Sequence, residues 1–156
     1  MLANAELRLA RRDDAGWIAR HSRAFIEHGL RWSYDRPRIL RAVAHPDLNV
    51  VVAEDGGRHL GFGIMEYGDA AAHLVLLGVP PAQRRRGLGR ALVAWLEKPA
   101  LVAGIGCVRV EVRADNPGAL AFYERLGYAR RSRVAGYYDG MVDALRLEKT
   151  LRAGVK

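Results

Sequence analysis

The stretch Gln83–Leu92 reads Gln-Arg-Arg-Arg-Gly-Leu-Gly-Arg-Ala-Leu, and the rest of the chain can be arranged around it. An apolar run, Leu74–Val79, leads into it and ends at two prolines. Beyond the first glycine, apolar residues recur at offsets of three, four and seven, the spacing of one helix face, at Leu88, Ala91, Leu92 and Trp95. The pattern predicts a strand, a glycine-containing turn and the start of a helix.

The predicted turn is suited to binding an anion. The first turn of a helix has backbone N–H groups without intrahelical partners and a partial positive charge, and glycine lets a ligand approach the backbone. Four arginines add full charges, so a phosphate is the expected ligand. The stretch lacks the Lys-Ser or Lys-Thr pair of a Walker A loop, and Leu92 replaces the third glycine of a Rossmann fingerprint. The alternative is a glycine-rich helix start with a solvated basic face.

The composition favours one globular domain over residues 1–156, since half of the residues are hydrophobic. No window approaches the roughly 18 consecutive apolar residues of a transmembrane helix, and Met1–Glu6 does not begin a signal peptide. Cys107 is the only cysteine, which excludes an intramolecular disulfide and argues against a Cys-based metal site. We therefore expect a cytoplasmic protein without a metal cofactor.

The net charge of +8 lies entirely in the second half of the chain. Residues 1–78 contain ten arginines and ten acidic residues, whereas residues 79–156 contain fifteen Lys and Arg against seven Asp and Glu. Positive charge around Gln83–Leu92 suits a polyanionic ligand, and it also suits nucleic acid. Compositional bias is an alternative explanation, because twenty-two of the twenty-five basic residues are arginines.

The remaining patterns predict strands and helices in which the second to fourth strands form an antiparallel meander. A helix between the fourth and fifth strands makes a crossover, so those strands should be parallel. Pro99 should kink or stop that helix near Lys98, and Gly61 and Gly63 should leave room for a neighbouring element. The predicted strands are Glu6–Ala10, Asn49–Glu54, His59–Tyr67, Ala72–Val79, Cys107–Arg113, Tyr128–Val134 and Met141–Leu151; the predicted helices are Asp14–Glu27, Asp35–Ala44, one from Gly87 and one from Pro117.

A second motif, Asn116–Tyr128, reads Asn-Pro-Gly-Ala-Leu-Ala-Phe-Tyr-Glu-Arg-Leu-Gly-Tyr. Asn116 followed by Pro117 is typical of a helix start. Asn116 and Tyr123 are seven residues apart, two helical turns, and therefore point the same way. The helix begins beside the Gln83–Leu92 turn, at the sheet edge where open α/β sheets bind ligands. The alternatives are that Asn116 is only an N-cap and Tyr123 only a core aromatic.

Arg-x-x-Gly-x-Gly at 84–89 and Asn-x-x-Ala-x-x-Phe-Tyr-x-x-x-Gly-Tyr at 116–128 resemble the two motifs of the GNAT superfamily of N-acetyltransferases. With Val110-Glu111-Val112 ahead of the second motif, the chain is most similar to the ribosomal-protein N-terminal acetyltransferases of that superfamily. The resemblance implies an α/β (α+β) fold with a mixed sheet of about seven strands, in the order βααβββαβαββ, splayed between strands four and five. It also implies acetyl-CoA as cosubstrate and a primary amine as acceptor.

The resemblance also assigns residues to acetyl-CoA. The backbone of the Gln83–Leu92 turn would hold the pyrophosphate, and the end of the fourth strand would pair with the pantetheine. The second motif would add two further contacts. The residues concerned are Leu77, Val79, Arg84, Arg85, Arg86, Gly87, Leu88, Gly89, Arg90, Asn116 and Tyr123.

Acetyl transfer to an amine needs an unprotonated amine, a polarised carbonyl and a proton for the leaving thiolate. Tyr123 is the candidate general acid, because a phenol is a proton donor. By resemblance Glu111 is the candidate base, with Glu66 and His73 as alternatives; Glu111 could instead pair with Arg109 or Arg113. The loops before the second helix and the last strand should frame the acceptor site, for which the candidate residues are Trp32, Tyr34, Glu66, Tyr137 and Tyr138.

Two other classes of function stay open on the sequence. One is a nucleic-acid-binding module that uses the basic half, although no nucleic-acid-binding signature accompanies it. The other is a GNAT-like regulatory domain that binds acyl-CoA without catalysis. We favour an N-acetyltransferase acting on a small-molecule or protein amine, with no nucleic-acid or membrane partner, and with a homodimer as one use of its edge strands.

Overall fold

The computed structural model describes residues 5–151, which form a seven-stranded mixed sheet with helices on both faces. The sheet order is β1-β2-β3-β4-β5-β7-β6. The strands are β1 (Glu6–Leu9), β2 (Leu48–Asp55), β3 (Arg58–Tyr67), β4 (Ala71–Gly78), β5 (Cys107–Arg113), β6 (Ala129–Tyr138) and β7 (Val142–Thr150). The helices are α1 (Ala15–His21), α2 (Arg36–Ala44), α3 (Leu88–Val102) and α4 (Pro117–Arg125). The predicted fold class and element order are confirmed.

The strand pairings follow the lengths of the connections. Strands β1 to β4 are antiparallel neighbours, which confirms the predicted meander of β2 to β4. Strand β5 joins β4 in parallel after the α3 crossover, also as predicted. Strand β7 lies between β5 and β6 and is antiparallel to both. Within residues 5–151, no helix is long and apolar enough to cross a membrane.

The sheet separates two apolar cores. One core lies beneath α3 and α4 and receives Val108, Val110 and Val112, the residues of β5 that alternation predicted to share a face. The other lies beneath α1 and α2 and contains Phe62 and Ile64, both fully buried. The opposite face of β5 carries its charged residues, including the candidate base, so the polar chemistry lies on the α1–α2 side of the sheet.

Two glycines of β3 allow α3 to pack closely on the sheet. A Cβ atom on Gly61 would lie 3.1 Å from Leu92 Cδ1, and one on Gly63 would lie 2.9 Å from Leu96 Cδ1. A separation of 2.9 Å is closer than real Cβ atoms come to other atoms, and 3.1 Å is tighter than most such contacts, so side chains at these positions would crowd α3. The predicted close approach at these glycines is confirmed.

The sequence predicts that Pro99 kinks or stops α3 near Lys98; the stop is wrong, because the helix continues to Val102. Proline in a helix interior costs about 3 kcal/mol relative to alanine. Leu96 and Ala100, on either side of Pro99, are both fully buried in the core beneath α3. Packing of these flanking side chains therefore holds the last turn in helical form, and tertiary contacts override the local preference.

The first predicted helix, Asp14–Glu27, is divided into three segments: a 3₁₀ turn at Arg12–Asp14, then α1, then a π-helical turn at Ser22–Ile26. In the π turn, the Glu27 N–H donates to the Ser22 carbonyl at 2.6 Å, and the Ser22 hydroxyl donates to Glu27 Oε2 at 2.7 Å. Both side chains are buried, so the wide turn satisfies polar groups that have little access to water. Such turns are frequent at functional sites.

Strand β6 is longer than predicted and continues past Val134 to Tyr138. Its pairing with β7 shifts register in this extension, and Gly136 there has φ +63°, a conformation that other residues disfavour. The irregularity explains why the segment resembled a loop in sequence. It places Tyr137 and Tyr138 on a strand beside the polar face of the sheet.

Candidate functional site

The central feature of the site is a gap between β4 and β5. The two strands pair only over Ala71–Leu74 and Cys107–Val110. Beyond these residues β4 stays paired with β3, and β5 stays paired with β7. The β3–β4 register skips Val75, a bulge that bends the strand at the point of separation. The predicted splay between the fourth and fifth strands is confirmed.

The β4 edge of the gap offers unpaired backbone. From Val75 to Gly78 the strand has a partner only on its β3 side, so polar groups on the other side are available to an extended ligand. Leu77, a predicted pantetheine contact, lies in this segment. Val79, the other predicted contact, lies just beyond the strand, and its carbonyl accepts a hydrogen bond from Arg84 Nε at 2.9 Å.

The turn after β4 presents N–H groups to the same gap. Arg85 and Gly87 have φ values of +65° and +79°, and the first backbone hydrogen bond of α3 runs from Ala91 N to Gly87 O at 3.0 Å. In the described part of the chain, the N–H groups of residues 85–90 donate to no protein acceptor. This run of free donors at a helix start is an anion-binding arrangement.

Two arginines of the turn shape it from within. Arg84 is bonded to the Val79 carbonyl, and Arg86 Nη1 donates to the buried Gln83 side chain at 3.2 Å. These contacts hold the turn against the end of β4. The backbone, rather than these two side chains, is therefore the part of the turn that faces a ligand.

Gly89 and Phe122 bring the two sequence motifs into contact. A Cβ atom on Gly89 would lie 3.0 Å from Phe122 Cζ, so glycine allows this close approach of α3 to α4 without crowding the ring. Asn116 caps α4, with its Oδ1 accepting from the Ala119 N–H at 3.0 Å, as predicted. The starts of both helices therefore converge beside the gap.

Tyr123 lies on the inner face of α4 and is 7% exposed. Its ring packs edge-on against Phe122 and Tyr128, with centroids 5.0 and 5.6 Å away. Burial, and secondarily the neighbouring Tyr138 hydroxyl, raise the pKa of Tyr123 well above its usual range. The Tyr123 hydroxyl has no hydrogen-bond partner among residues 5–151, so it is a protonated donor without a protein acceptor.

Glu111 is held by one histidine and one arginine side chain. Its Oε1 shares a hydrogen bond of 2.5 Å with His73 Nε2, and its Oε2 accepts from Arg146 Nε at 3.0 Å. Burial by itself would raise the pKa of Glu111, but the hydrogen bonds and charges of His73 and Arg146 outweigh it and lower that pKa. The alternative pairing with Arg109 or Arg113 is wrong, since those arginines bond to Glu148 and Asp115.

Two tyrosines of β6 lie near enough to this carboxylate for its charge to act on them. The rings of Tyr137 and Tyr138 pack edge-on at 4.9 Å. Burial and the nearby Glu111 charge raise the pKa values of both phenols, and Tyr138 in turn acts on Tyr123. Glu111, the tyrosine pair and Tyr123 therefore lie within electrostatic range of their neighbours in this series.

Four of the five predicted acceptor residues come together. Tyr34 lies near Tyr137 and Glu66, whose charges act on its phenol, and Tyr138 is beside Tyr137. Burial is the main cause that raises the pKa of Tyr34. Trp32 is apart from this group, and its ring lies 5.0 Å from the Arg23 guanidinium.

The comparisons with known proteins agree with this geometry. The family model described as Acetyltransferase (GNAT) family matches residues 11–128. The chain belongs to the GNAT acetyltransferase family. A mycothiol acetyltransferase of Kineococcus radiotolerans is 35% identical over 132 residues, which cover 82% of this chain and 43% of that protein. A [ribosomal protein bS18]-alanine N-acetyltransferase of Escherichia coli is 33% identical over 107 residues, 60% of this chain and 72% of the relative.

Solved structures of acetyltransferases share the fold of this GNAT chain. Ard1 from Thermoplasma volcanium superposes with a TM-score of 0.84 at 22% identity, covering 95% of this chain and 98% of the other. The ribosomal-protein-S18-alanine N-acetyltransferase from Escherichia coli gives 0.77 at 25% identity, with 94% of each chain covered. This chain spans about two fifths of the length of the mycothiol acetyltransferases that it matches.

Sequence reasoning missed two residues that build this GNAT site. Arg146 lies directly opposite Glu111 in the β5–β7 register, a pairing that alternation alone could have suggested. Glu27 is buried and accepts from Ser33 N and Oγ, at 2.6 and 2.7 Å, and from Tyr34 N. It orders the segment between α1 and α2 over the site, and nothing in the sequence pattern marks it.

The segment between α1 and α2 is also tied to the far side of the site. The Arg31 N–H donates to Asp139 Oδ2 at 2.6 Å, and Arg113 Nη1 donates to the His28 carbonyl at 2.7 Å. The two loops predicted to frame the acceptor site are thus joined to each other. Among residues 5–151, no group of three or more His, Cys, Asp or Glu side chains is placed to hold a metal ion.

Proposed function

We propose that this GNAT chain transfers acetyl from acetyl-CoA to a primary amine by direct attack within a ternary complex. The observation that carries the proposal is the β4–β5 gap. One end of it has free N–H groups at the start of α3, and its sides have a protonated phenol and a held carboxylate. A phosphate-bearing thioester and an amine can therefore meet in one place.

Acetyl-CoA would lie along the gap. Its pyrophosphate would accept from the N–H groups of residues 85–90, and its pantetheine would pair with the free edge of β4 near Leu77, as an added strand does. The Asn116 carbonyl oxygen is committed to capping α4, which leaves its amide nitrogen to donate to the ligand. The backbone does most of the binding, so loss of a single arginine side chain should have a modest effect.

The transfer step needs one proton donor and one proton acceptor. The amine nitrogen attacks the thioester carbon, a C–N bond forms, the C–S bond breaks, and the thiolate takes the phenolic proton of Tyr123. The raised pKa of Tyr123 supports this role, because the phenol stays protonated until the thiolate develops beside it. The Tyr123 phenolate left by this step takes a proton from solvent, which restores the donor before the next turnover.

His73 and Glu111 together are the proposed base. A carboxylate whose pKa is lowered, with both oxygens engaged, is a weak acceptor by itself. It is well placed to orient the His73 ring through Nε2, which leaves Nδ1 to take the amine proton. Direct action of Glu111, or of Glu66, is the competing assignment within the same reaction.

The acceptor is a primary amine whose source the relatives do not fix. Their names point to an alanine of ribosomal protein bS18 in one case and to mycothiol in the other. Both share the family but differ in the size of the substrate. The segment between α1 and α2, which is tied to Asp139 beyond β6, and the tyrosines of β6 would frame the acceptor.

Initial rates test the proposal, with acetyl-CoA and amine varied together. Double-reciprocal plots that intersect are expected for a ternary complex, whereas parallel lines would indicate an acetyl-enzyme intermediate and overturn direct attack. A melting temperature raised by acetyl-CoA, without transfer to any amine, would favour the acyl-CoA-binding regulatory domain instead. Salt-dependent binding of DNA, without any effect of acetyl-CoA, would favour a nucleic-acid module.

A further inference from the structure

An open cavity of about 600 Å³ lies on the polar face of β4, β5 and β7, next to the proposed base. Two of its lining residues are the small Ala71 and Ala72, and the others are charged or polar. The charged and polar lining residues are His73, Arg109, Glu111, Arg131, Arg146 and Glu148. With three guanidinium groups against two carboxylates, the walls carry a net positive charge before any charge on His73 is counted.

Each of the three arginines faces a carboxylate through its Nε atom. Arg109 Nε donates to Glu148 at 3.0 Å, Arg131 Nε lies 3.5 Å from Glu148, and Arg146 Nε donates to Glu111 at 3.0 Å. Within residues 5–151, none of them makes a hydrogen bond through its two Nη atoms. Each guanidinium is therefore anchored at one nitrogen, while the two terminal NH₂ groups that form a fork for an anion are free.

The side chains of the three arginines are 55%, 56% and 40% exposed, so they are open to a ligand from solvent, and all three line the same cavity. Hydrogen bonds to Glu148 and Glu111 restrain Arg109 and Arg146, which lowers the entropy lost when a ligand binds. Along β5, Arg109 stands two residues before Glu111, about 7 Å away. The cationic part of the cavity is thus adjacent to the place where the amine would lose its proton.

We propose that this cavity recognises an anionic group of the acceptor, so that the preferred substrate is an amine that also carries a carboxylate. The inference rests on the proposed function, because it assigns the amine to the His73–Glu111 end of the cavity. The carboxylate accepts from the free Nη groups of Arg109 and Arg131, while the amine faces the thioester. A polycationic amine would meet the same guanidinium groups and be repelled.

Either an acidic peptide or a free amino acid could supply an amine that also carries a carboxylate, and pairs of acceptors that differ in one carboxylate separate the two. One pair is a peptide with a free N-terminus, an amidated C-terminus and Asp as its second residue, against the same peptide with Asn. The other pair is alanine against alaninamide, with kcat/KM of each referred to its concentration of unprotonated amine. With saturating acetyl-CoA, kcat/KM should be about tenfold higher for the acidic member of at least one pair, and the difference should shrink at high salt. The pair that shows it identifies an acidic peptide or a free amino acid.

The variants Arg109→Gln and Arg131→Gln test the assignment, since neither side chain contacts Glu111. Each should lower the acidic-to-neutral ratio of kcat/KM severalfold, and the double variant should bring it close to one. Arg133→Gln is the matched control: Arg133 is on β6 as well, pairs with Asp143 through Nε at 2.8 Å, and does not line the cavity. It removes the same charge and should leave the ratio unchanged.

Three results would overturn the inference. In the first, the acidic-to-neutral ratio of kcat/KM for the wild type is one or less in both pairs. In the second, the double variant retains the wild-type ratio. In the third, Arg133→Gln lowers the ratio as much as Arg109→Gln or Arg131→Gln does, through long-range charge. The proposed function would still stand in each case, because neutral amines would be acetylated. Failure to acetylate any amine, although acetyl-CoA binds, would remove both.

Discussion

His73 Nε2 and Glu111 Oε1 lie 2.5 Å apart and join β4 to β5 where the two strands begin to separate. The bond is diagonal: the register partner of His73 is Arg109, and the partner of Glu111 across the sheet is Arg146. A histidine is thus fixed by a mostly buried carboxylate at the mouth of the gap proposed for acetyl-CoA.

Replacement of Glu111 by Gln should lower kcat about 100-fold, because the side chain no longer orients His73 or balances its charge. The KM for acetyl-CoA should change little, since the residue lies on the acceptor side of the sheet. His73→Gln should give a similar loss, and the double variant should be no slower than either single one. The exposed Glu124, paired with Arg130 away from the site, supplies the control Glu124→Gln. Wild-type kcat in Glu111→Gln would rule out this pair as the base.

Tyr123→Phe should lower kcat about 100-fold without loss of stability, because the hydroxyl makes no hydrogen bond within the described chain. The raised pKa of Tyr123 means that the donor form persists above the usual phenol pKa of about 10. The deficit should therefore be the same at about pH 7 and about pH 9, measured as the ratio of variant to wild-type kcat. A ratio of one at both pH values would show that Tyr123 is not the acid.

Asp14 should control acid stability far from the active site. Burial would raise its pKa, but bonds from Arg8, the Arg11 N–H and His59 outweigh this and hold the pKa well below its usual range. A lowered pKa stabilises the fold above the unfolded-state value of about 4, and this contribution is lost as the pH falls further.

Asp14→Asn should consequently lower the free energy of unfolding by about 3 kcal/mol at neutral pH, since Arg8 loses a buried partner. The difference in the free energy of unfolding between this variant and the wild type, measured by urea titration, should become smaller below about pH 4. The exposed neighbour Asp13 provides the control Asp13→Asn, which should change stability little. A deficit that stays constant down to low pH would contradict the linkage.

Gly78→Ala should destabilise the fold by about 2 kcal/mol, because the added Cβ would lie 2.5 Å from Phe62 Cε1, in a ring that is fully buried. Gly118→Ala is the control, since the nearest atom there, Asn116 Oδ1, is 3.7 Å away. Thermal unfolding compares the two. Equal melting temperatures for both variants would show that the end of β4 can yield to a side chain.

The sequence predicted the parts of the fold that depend on local pattern. The alternation of Val108, Val110 and Val112 identified the buried face of β5, and the Asn116-Pro117 pair identified the start of α4. The predicted stop of α3 at Pro99 was wrong because the free-energy cost of proline in a helix is a local effect, whereas the burial of the neighbouring side chains depends on the whole core. Predicted strand boundaries were wrong where the backbone is irregular, as at the end of β6, where the pairing with β7 shifts register.

The candidate site was predictable to a smaller extent. Motif spacing identified the turn after β4 and Tyr123, whose environments are local to one turn or one helix. The partners of Glu111 come from β4 and β7, strands that lie 38 and 35 residues away in the chain, so single-strand reasoning chose the wrong arginines. Glu27 acts by accepting backbone N–H groups, a role that leaves no signature in side-chain pattern.

The central claim is tested most directly by following both products of the reaction at once. The protein is incubated with acetyl-CoA and a panel of primary amines that includes peptides and amino acids, and free CoA and N-acetylated amine are both quantified. We predict equimolar release of the two with at least one amine, and loss of both in Tyr123→Phe. Binding of acetyl-CoA with no CoA release above the uncatalysed rate for every amine would contradict the account.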